Sequence, residues 1–226
     1  MSSIPLKNIY KSDDAPLLAH LATYRSALTE EFMAQHAHEW EAPVIDLPMI
    51  YIPSIPGKKT EFAGTPEFVS KMGAWKVDFF RYESAPNDSV IVYEEKRQKY
   101  PTAFKIMEEF KDEVGICCYS VVEPNSAIQR HTGQENRMND YLRIQVPLIV
   151  PEGDLFMEVG GEETDWSEPF AFDNQIVHSV YNNTPYRRLV FIIDIKRSRL
   201  GLPQGKPYSR EAESNFPPFI RKKDVA

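Results

Sequence analysis

The spacing of apolar residues divides the chain into an N-terminal part with helical periodicity and a C-terminal part rich in short strands. Over residues 14–38 the apolar residues recur at roughly helical spacing, which predicts an amphipathic helix: Leu17, Leu18, Leu21, Tyr24, Leu28 and Phe32. Asp13 and Asp14 stand just before this helix, and Pro16 stands near its start. We therefore expect an acidic cap followed by a proline in the first turn.

Between these two parts, the pattern predicts three extended segments and a second helix. Residues 45–53 form a strand candidate that Pro48 interrupts, and residues 75–83 and 89–95 are further strand candidates. The second helix is predicted over residues 100–113, because its apolar residues fall on one stripe. That stripe consists of Phe104, Met107 and Phe110.

From Val114 onward, short apolar runs alternate with turn sequences such as PEGD and YNNTPY. Closely spaced strands with turns between them are typical of a mainly β sandwich or barrel. We therefore divide the chain into three segments. Residues 1–72 form an N-terminal helical and extended segment that packs on the core, residues 73–198 form the β core, and residues 199–226 form a polar C-terminal tail.

The composition argues against several classes of protein. The chain has 226 residues and a net charge of −7, which disfavours binding to nucleic acid or to anionic lipid. No apolar run approaches the ~20 residues of a membrane span, and the N-terminus lacks the apolar segment of a secretory signal. Cys117 and Cys118 are adjacent, which favours two free thiols in a reducing compartment. We therefore expect a cytoplasmic protein that binds neither nucleic acid nor membrane.

Two histidines, His131 and His178, stand beside predicted strands in the β-rich half. Two neutral imidazoles on adjacent strands of a barrel can chelate one metal ion. A carboxylate two positions after the first histidine often completes such a site, but that position is Gly133 here. The residues alone leave two interpretations open, a metal pair or two unrelated histidines, one in a turn and one in a strand.

Arginines stand in or beside strands that are otherwise apolar. An apolar run follows Arg187 and Arg188, and Arg143 stands between apolar neighbours. Because a buried guanidinium needs an anion, an inward-pointing arginine requires a carboxylate partner. Asp194 can supply it as a structural partner, or a ligand can bring carboxylates of its own. A third possibility is that Arg187 and Arg188 both lie at the strand mouth.

Strand alternation assigns the polar residues to faces. Arg143 and Gln145 share one face of their strand, and the apolar residues between them share the other. Ser120 shares a face with apolar residues of its own strand, where its hydroxyl either bonds to backbone or helps to bind a carboxylate.

Taken together, these residues resemble the aspartyl/asparaginyl β-hydroxylase family over about residues 73–197. The matching positions are Trp75, Pro101, Thr102, Ser120, His131, Gly133, Asn136, Arg143, Gly160, Trp166, Asp173, His178, Asn182, Arg188 and Asp194. The resemblance implies a double-stranded β-helix, a jelly-roll and cupin-like core, with helices beside it at the N-terminus. It also implies a dioxygenase that depends on Fe(II), 2-oxoglutarate and O₂.

The resemblance further implies the roles of the site residues. His131 and His178 are the expected iron ligands, and Gly133 corresponds to the family variant that lacks the carboxylate ligand. Arg188 is expected to pair with the distal carboxylate of 2-oxoglutarate and, with the two histidines, to form the catalytic centre. Ser120 is expected to add a hydrogen bond to that carboxylate.

Two further residues are expected to contact the co-substrate. The resemblance places Arg143 against the proximal carboxylate of 2-oxoglutarate or against the substrate. Gln145 stands where family members often carry a histidine, so the expected contact keeps hydrogen bonding but loses titration.

The resemblance predicts an enzyme that hydroxylates an unactivated C–H bond, either of a protein Asp or Asn side chain or of a small molecule. Because the sequence shows no membrane anchor, no repeat domain to hold a polypeptide and no secretory signal, we expect a small molecule, such as a free amino acid or its derivative. Gly133 leaves a second outcome open, an Fe(II)/2-oxoglutarate halogenase, because a small residue there leaves room for chloride. A non-catalytic cupin-like binding module is a third possibility. A zinc hydrolase is disfavoured, because no third ligand or general base is placed for it. We expect the segments outside the core to form either a wall of the substrate pocket or a homodimer contact.

Overall fold

The computed structural model describes residues 6–41, 75–84, 89–133 and 140–202. The strand predicted over residues 45–53 lies outside these ranges, and the division of the chain into three segments stays a prediction. None of the helices in the described residues is long and apolar enough to cross a membrane.

The described residues contain three α-helices: α1 (Pro16–Ala22), α2 (Arg25–Glu41) and α3 (Pro101–Phe110). The single helix predicted over residues 14–38 is therefore two helices. The break follows from local hydrogen bonding at Thr23, whose backbone N–H and hydroxyl both donate to the carbonyl of His20. This tight turn closes α1 before α2 begins.

The predicted acidic cap of the first helix was wrong. The residue that precedes Pro16 is Ala15, and no side chain caps the helix there. Asp14 instead accepts hydrogen bonds from the side chain of Lys7, at 2.5 Å, and from the backbone N–H of Lys11, at 3.1 Å. The carboxylate of Asp14 is thus bonded to Lys7 and Lys11, and not to the backbone N–H groups at the start of α1.

The described residues also contain eleven β-strands: β1 (Ile9–Tyr10), β2 (Trp75–Ser84), β3 (Ser89–Val92), β4 (Val114–Val122), β5 (Ser126–His131), β6 (Tyr141–Ile149), β7 (Leu155–Val159), β8 (Glu162–Thr164), β9 (Phe170–Phe172), β10 (His178–Asn182) and β11 (Arg188–Lys196). A seven-stranded sheet has the order β1-β9-β6-β11-β4-β2-β3, and a four-stranded sheet has the order β5-β10-β7-β8.

From β4 to β11 the chain crosses between the two sheets at each step, apart from the hairpin of β7 and β8. All the strand pairs are antiparallel. This alternation is the topology of a double-stranded β-helix, or jelly roll. The predicted fold class, a mainly β core with helices at its N-terminal side, is confirmed.

Two apolar cores occupy the two faces of the seven-stranded sheet. The helix-side core packs that sheet against the helices, and the sandwich core lies between the two sheets. In β11, Leu189, Phe191 and Ile193 point into the helix-side core. Val190 and Ile192 point into the sandwich core. The strand is therefore buried on both faces, as its continuous apolar run predicts.

A carboxylate from a neighbouring helix caps the start of α3. The residue before that helix, Tyr100, offers no side-chain cap. The carboxylate of Glu31 in α2 instead accepts hydrogen bonds from the backbone N–H groups of Thr102 and Ala103. Two N–H groups that have no partner within the helix are thereby satisfied, and a negative charge lies at its N-terminus.

We predict that Glu31→Ala lowers the free energy of unfolding by about 1–2 kcal/mol, as expected for the loss of a helix cap. Glu30→Ala is the matched control, because the exposed Glu30 accepts a hydrogen bond from Ser26 within the same helix. It should change stability by less than about 0.5 kcal/mol. Urea unfolding measures both variants, and equal losses would contradict the capping role.

Candidate metal and anion site

His131 and His178 are direct neighbours across two strands of the smaller sheet. His131 ends β5 and His178 begins β10, and the two residues are paired in the register of these strands. Their ring centroids lie 4.2 Å apart, and the side chains are 7% and 4% exposed. The ring of His178 also contacts Phe172, a residue of the sandwich core, at 5.0 Å. The two imidazoles therefore lie together on the inner side of the barrel.

The hydrogen bonding of His178 determines which ring nitrogen is available. Its Nδ1 lies 2.7 Å from the carbonyl oxygen of Ile176. Because a carbonyl only accepts, Nδ1 carries the proton and Nε2 keeps its lone pair. Burial lowers the pKa of His178 well below its usual value, and the charges of His131 and Arg143 lower it further. His178 is therefore a neutral imidazole at neutral pH, the form that binds metal ions.

A short loop holds this carbonyl in place. The Asp173 carbonyl accepts the backbone N–H of Ile176, and its carboxylate accepts the backbone N–H of Gln175, both at 2.9 Å. Arg197 holds the other carboxylate oxygen at 2.5 Å. The sequence pattern does not reveal the role of Arg197, because Arg197 and Asp173 come together only when the strands are placed.

The position after His131 is tied to the same loop. The backbone N–H of Gly133 donates to the carbonyl of Asn174 at 2.7 Å. In the described ranges, no group of three or more His, Cys, Asp or Glu side chains is placed to hold a metal ion. The donor set that the structure brings together here is thus a pair of imidazoles.

Arg188 is the buried cation of the site. It begins β11 on the inner face and is 1% exposed. Its Nε and one terminal nitrogen have no hydrogen-bond partner among the described residues. The guanidinium carbon lies 4.5 Å from the centroid of the Trp166 ring. Burial lowers the pKa of Arg188 to about 9, so the side chain remains a cation at neutral pH.

The neighbouring Arg187 has an anion from the protein. Its Nε donates to the carboxylate of Glu123 at 2.9 Å, and the side chain also donates to the carbonyl of Trp40. The other oxygen of Glu123 lies 2.7 Å from the ammonium group of Lys76. Arg187 is therefore part of a buried structural network, and Arg188 is the arginine that points inward.

Arg143 forms a bidentate pair with Asp194, at 2.9 and 3.0 Å. Both side chains are buried, and the two residues face each other across β6 and β11. Of the two anion sources that sequence analysis left open for Arg143, the structure shows the structural one. The predicted contact of Arg143 with the co-substrate stays a prediction, and it concerns a guanidinium whose charge is already balanced.

Ser120 and Gln145 are both buried polar residues of the seven-stranded sheet. The Ser120 hydroxyl oxygen accepts a hydrogen bond from Nε1 of Trp75 at 3.0 Å, so its own proton is directed elsewhere. The side-chain oxygen of Gln145 has no hydrogen-bond partner among the described residues. Trp75 is one of the positions that match the family, but its contact with Ser120 depends on the pairing of β2 with β4 and could not be predicted from the sequence.

The sequence matches the family model described as Aspartyl/Asparaginyl beta-hydroxylase over residues 57–198, which is more than half of the chain. Two curated proteins named aspartyl/asparaginyl beta-hydroxylase, from Mus musculus and Homo sapiens, are each 27% identical to it over 101 residues. Each alignment covers 42% of this chain and 13% of the relative. The chain thus spans a small part of the length of these relatives.

Solved structures with a related shape include three proteins of low sequence identity. A prolyl hydroxylase from Trichoplax adhaerens, in complex with a hypoxia inducible factor peptide fragment, has a TM-score of 0.44 and 9% identity, and the match covers 84% of this chain and 94% of that one. A Pseudomonas putida prolyl-4-hydroxylase has a TM-score of 0.40 and 12% identity, and the match covers 77% of this chain and 86% of that one. A 2OG-Fe(II) oxygenase family oxidoreductase from Burkholderia pseudomallei has a TM-score of 0.39 and 10% identity, and the match covers 62% of this chain and 74% of that one.

We predict that Arg188→Met stabilises the unliganded protein, whereas Arg187→Met destabilises it. Methionine fills a similar volume and removes a buried cation that lacks a protein anion, which should raise the free energy of unfolding by about 1 kcal/mol or more. Arg187→Met removes a donor from the buried carboxylate of Glu123 and should cost about 1–3 kcal/mol. Urea unfolding without ligands measures both, and a destabilised Arg188→Met would show that the guanidinium is satisfied within the protein.

We predict that Asp194→Asn lowers the free energy of unfolding by about 3–5 kcal/mol, because it leaves the guanidinium of Arg143 buried without its counter-charge. Asp13→Asn makes the same chemical change at an exposed position and should have little effect. Thermal unfolding of both variants tests this, and a loss below about 1 kcal/mol for Asp194→Asn would mean that the pair is not maintained in solution.

Proposed function

The chain belongs to the aspartyl/asparaginyl β-hydroxylase family, and from this premise we propose that it is an Fe(II)- and 2-oxoglutarate-dependent dioxygenase. Its proposed reaction is the hydroxylation of an unactivated C–H bond in a small molecule, such as a free amino acid or its derivative. The observation that carries the proposal is the buried guanidinium of Arg188, which has no anion among the described residues and lies in the same barrel as the paired imidazoles of His131 and His178.

The residues present fit the metal that the family implies. Imidazole nitrogens suit Fe(II), and His131 and His178 would hold it. The bond from Nδ1 of His178 to the carbonyl of Ile176 leaves Nε2 for the metal and fixes the orientation of the ring. When bound, the iron and 2-oxoglutarate supply the activation of O₂, which protein side chains cannot provide.

The residues also fit a dicarboxylate co-substrate. A guanidinium can bind a carboxylate through two parallel hydrogen bonds, and Arg188 has two nitrogens without a protein partner. Ser120 has a hydroxyl proton to donate, because its oxygen already accepts from Trp75. Burial keeps water away from the ion pair between Arg188 and the carboxylate, and so strengthens their attraction. In this proposal Arg188 and Ser120 bind the distal carboxylate of 2-oxoglutarate.

The overall reaction balances without a further reductant. One O₂ oxidises both molecules: one oxygen atom enters the substrate as a hydroxyl group, and the other enters succinate. The carboxylate next to the keto group of 2-oxoglutarate leaves as CO₂. The protein's part is to orient the two reactants and to exclude water from the site.

The side chain of Gln145 favours a substrate that carries an N–H or O–H donor. Its buried side-chain oxygen has no donor among the described residues, and the 2-oxoglutarate dianion offers none. The ammonium group of an amino acid would satisfy it. The predicted contact of Gln145 with the co-substrate requires the amide nitrogen to face the carboxylate instead.

We also propose a cytoplasmic location. Cys117 and Cys118 form no disulfide among the described residues, and both are buried in the sheet, which suits a reducing compartment.

We predict that the purified protein, with Fe(II), 2-oxoglutarate and O₂, converts one member of an amino-acid panel to a product heavier by one oxygen atom and releases succinate. His131→Ala should abolish both signals, because it removes one of the two imidazoles. His20→Ala is the matched control, since His20 lies on the surface beside Glu109. Mass spectrometry of substrate and succinate, at high and low chloride, provides the measurement.

Three outcomes would overturn this proposal. A product that gains chlorine at high chloride would identify a halogenase, which the absence of a carboxylate at Gly133 permits. Tight binding of 2-oxoglutarate without any succinate would indicate a binding module. Equal turnover by His131→Ala and the unaltered protein would remove the imidazole pair from the chemistry.

A further inference from the structure

Trp166 is a buried indole that packs directly on the guanidinium of Arg188. It lies in the loop between β8 and β9, where its neighbours Asp165 and Ser167 are exposed and Trp166 itself is 3% exposed. The backbone N–H and the hydroxyl of Ser167 both donate to the Asp165 carboxylate, which holds the loop so that Trp166 points inward. Its ring contacts Phe170 at 5.2 Å and belongs to the sandwich core.

The ring nitrogen of Trp166 has no hydrogen-bond partner. Its Nε1 is buried, and no acceptor for it exists among the described residues. An indole N–H only donates, so the missing partner is an acceptor. A buried donor without an acceptor costs free energy, and the packing of the indole rings in the core does nothing to offset that cost. The core packing alone therefore does not account for a tryptophan at this position.

Arg188, which contacts Trp166, also has buried donors that need an acceptor. Its Nε and one terminal nitrogen are buried donors without acceptors in the part of the chain that the structure describes, and its guanidinium carbon lies 4.5 Å from the Trp166 ring centroid. Three buried donor nitrogens from two residues in contact thus lack an acceptor. One carboxylate has two oxygens with about four lone pairs, which is enough to satisfy all three.

We propose that Trp166 binds the co-substrate together with Arg188: its ring holds the guanidinium in place, and its Nε1–H donates to the carboxylate that Arg188 binds. The proposal rests on the proposed function for the identity of this anion, 2-oxoglutarate. Trp166 is then an additional residue of the binding site. The face of its indole contacts the guanidinium, and its N–H requires an oxygen acceptor in the ligand.

A binding measurement without turnover tests this role. Trp166→Phe keeps the ring on Arg188 and removes the N–H, so the affinity for 2-oxoglutarate should fall about tenfold to a hundredfold, as for the loss of a hydrogen bond to a charged group. Calorimetric titration under anaerobic conditions with Zn(II) in place of iron measures it. Trp40→Phe is the matched control, because the Trp40 ring packs on Phe32 in the helix layer.

A spectroscopic measurement separates binding from a structural role. The chain has three tryptophans, so a ¹H–¹⁵N spectrum contains three indole N–H signals, which single Trp→Phe variants assign. Adding 2-oxoglutarate should move the Trp166 signal downfield, because a new hydrogen bond to an anion deshields the proton. The signal of Trp40 should stay in place.

The possible results distinguish this proposal from the proposed function. If the unaltered protein binds 2-oxoglutarate, Arg188→Met does not, and Trp166→Phe binds as well as the unaltered protein with no indole shift, then the role of Trp166 is overturned and the function stands. If the unaltered protein binds no 2-oxoglutarate, both are overturned. A weakened Trp166→Phe together with a shifted Trp166 signal supports the proposal.

Discussion

A cation held inside a barrel costs free energy unless an anion lies against it. Arg188 is almost fully buried, and two of its nitrogens meet no acceptor among the described residues. The other buried arginines of the strands and their ends behave differently: Arg143 pairs with Asp194, Arg187 with Glu123, and Arg197 with Asp173. Among the described residues, these three arginines have carboxylate partners and Arg188 has none, which is why we propose that it binds an anion from outside. The proposed function and the proposed role of Trp166 both depend on the charge of Arg188.

The jelly-roll topology brings this charge into the same barrel as the two imidazoles. Crossing between sheets at each step places β5 beside β10 in one sheet and β11 at the centre of the other. His131 and His178 then meet in direct register, and Arg188 points inward from the opposite sheet. The imidazole pair and the buried guanidinium thus come from strands that are far apart in sequence, and the apolar sandwich core lies around them.

Strand alternation is a local property, so the sequence predicts which residues share a face but not which strands are neighbours. It correctly separates the face of Arg143 from the apolar face beside it, and it names Asp194 as one candidate partner. The choice of Asp194 over a ligand depends on the register of β6 against β11, which no local pattern contains. The cap that Glu31 gives to α3 depends on a contact of the same kind, between two helices that are far apart in sequence. Trp166 matched a motif by position, but its contact with Arg188 is visible only in the folded structure.

The most direct measurement is a crystal structure of the protein grown anaerobically with Mn(II) and 2-oxoglutarate. The account predicts a metal ion within bonding distance of one ring nitrogen each of His131 and His178. It also predicts a carboxylate of 2-oxoglutarate within hydrogen-bond distance of the two unpaired nitrogens of Arg188. A metal bound elsewhere, or a guanidinium of Arg188 that pairs with a protein carboxylate while 2-oxoglutarate binds at another place, would contradict it.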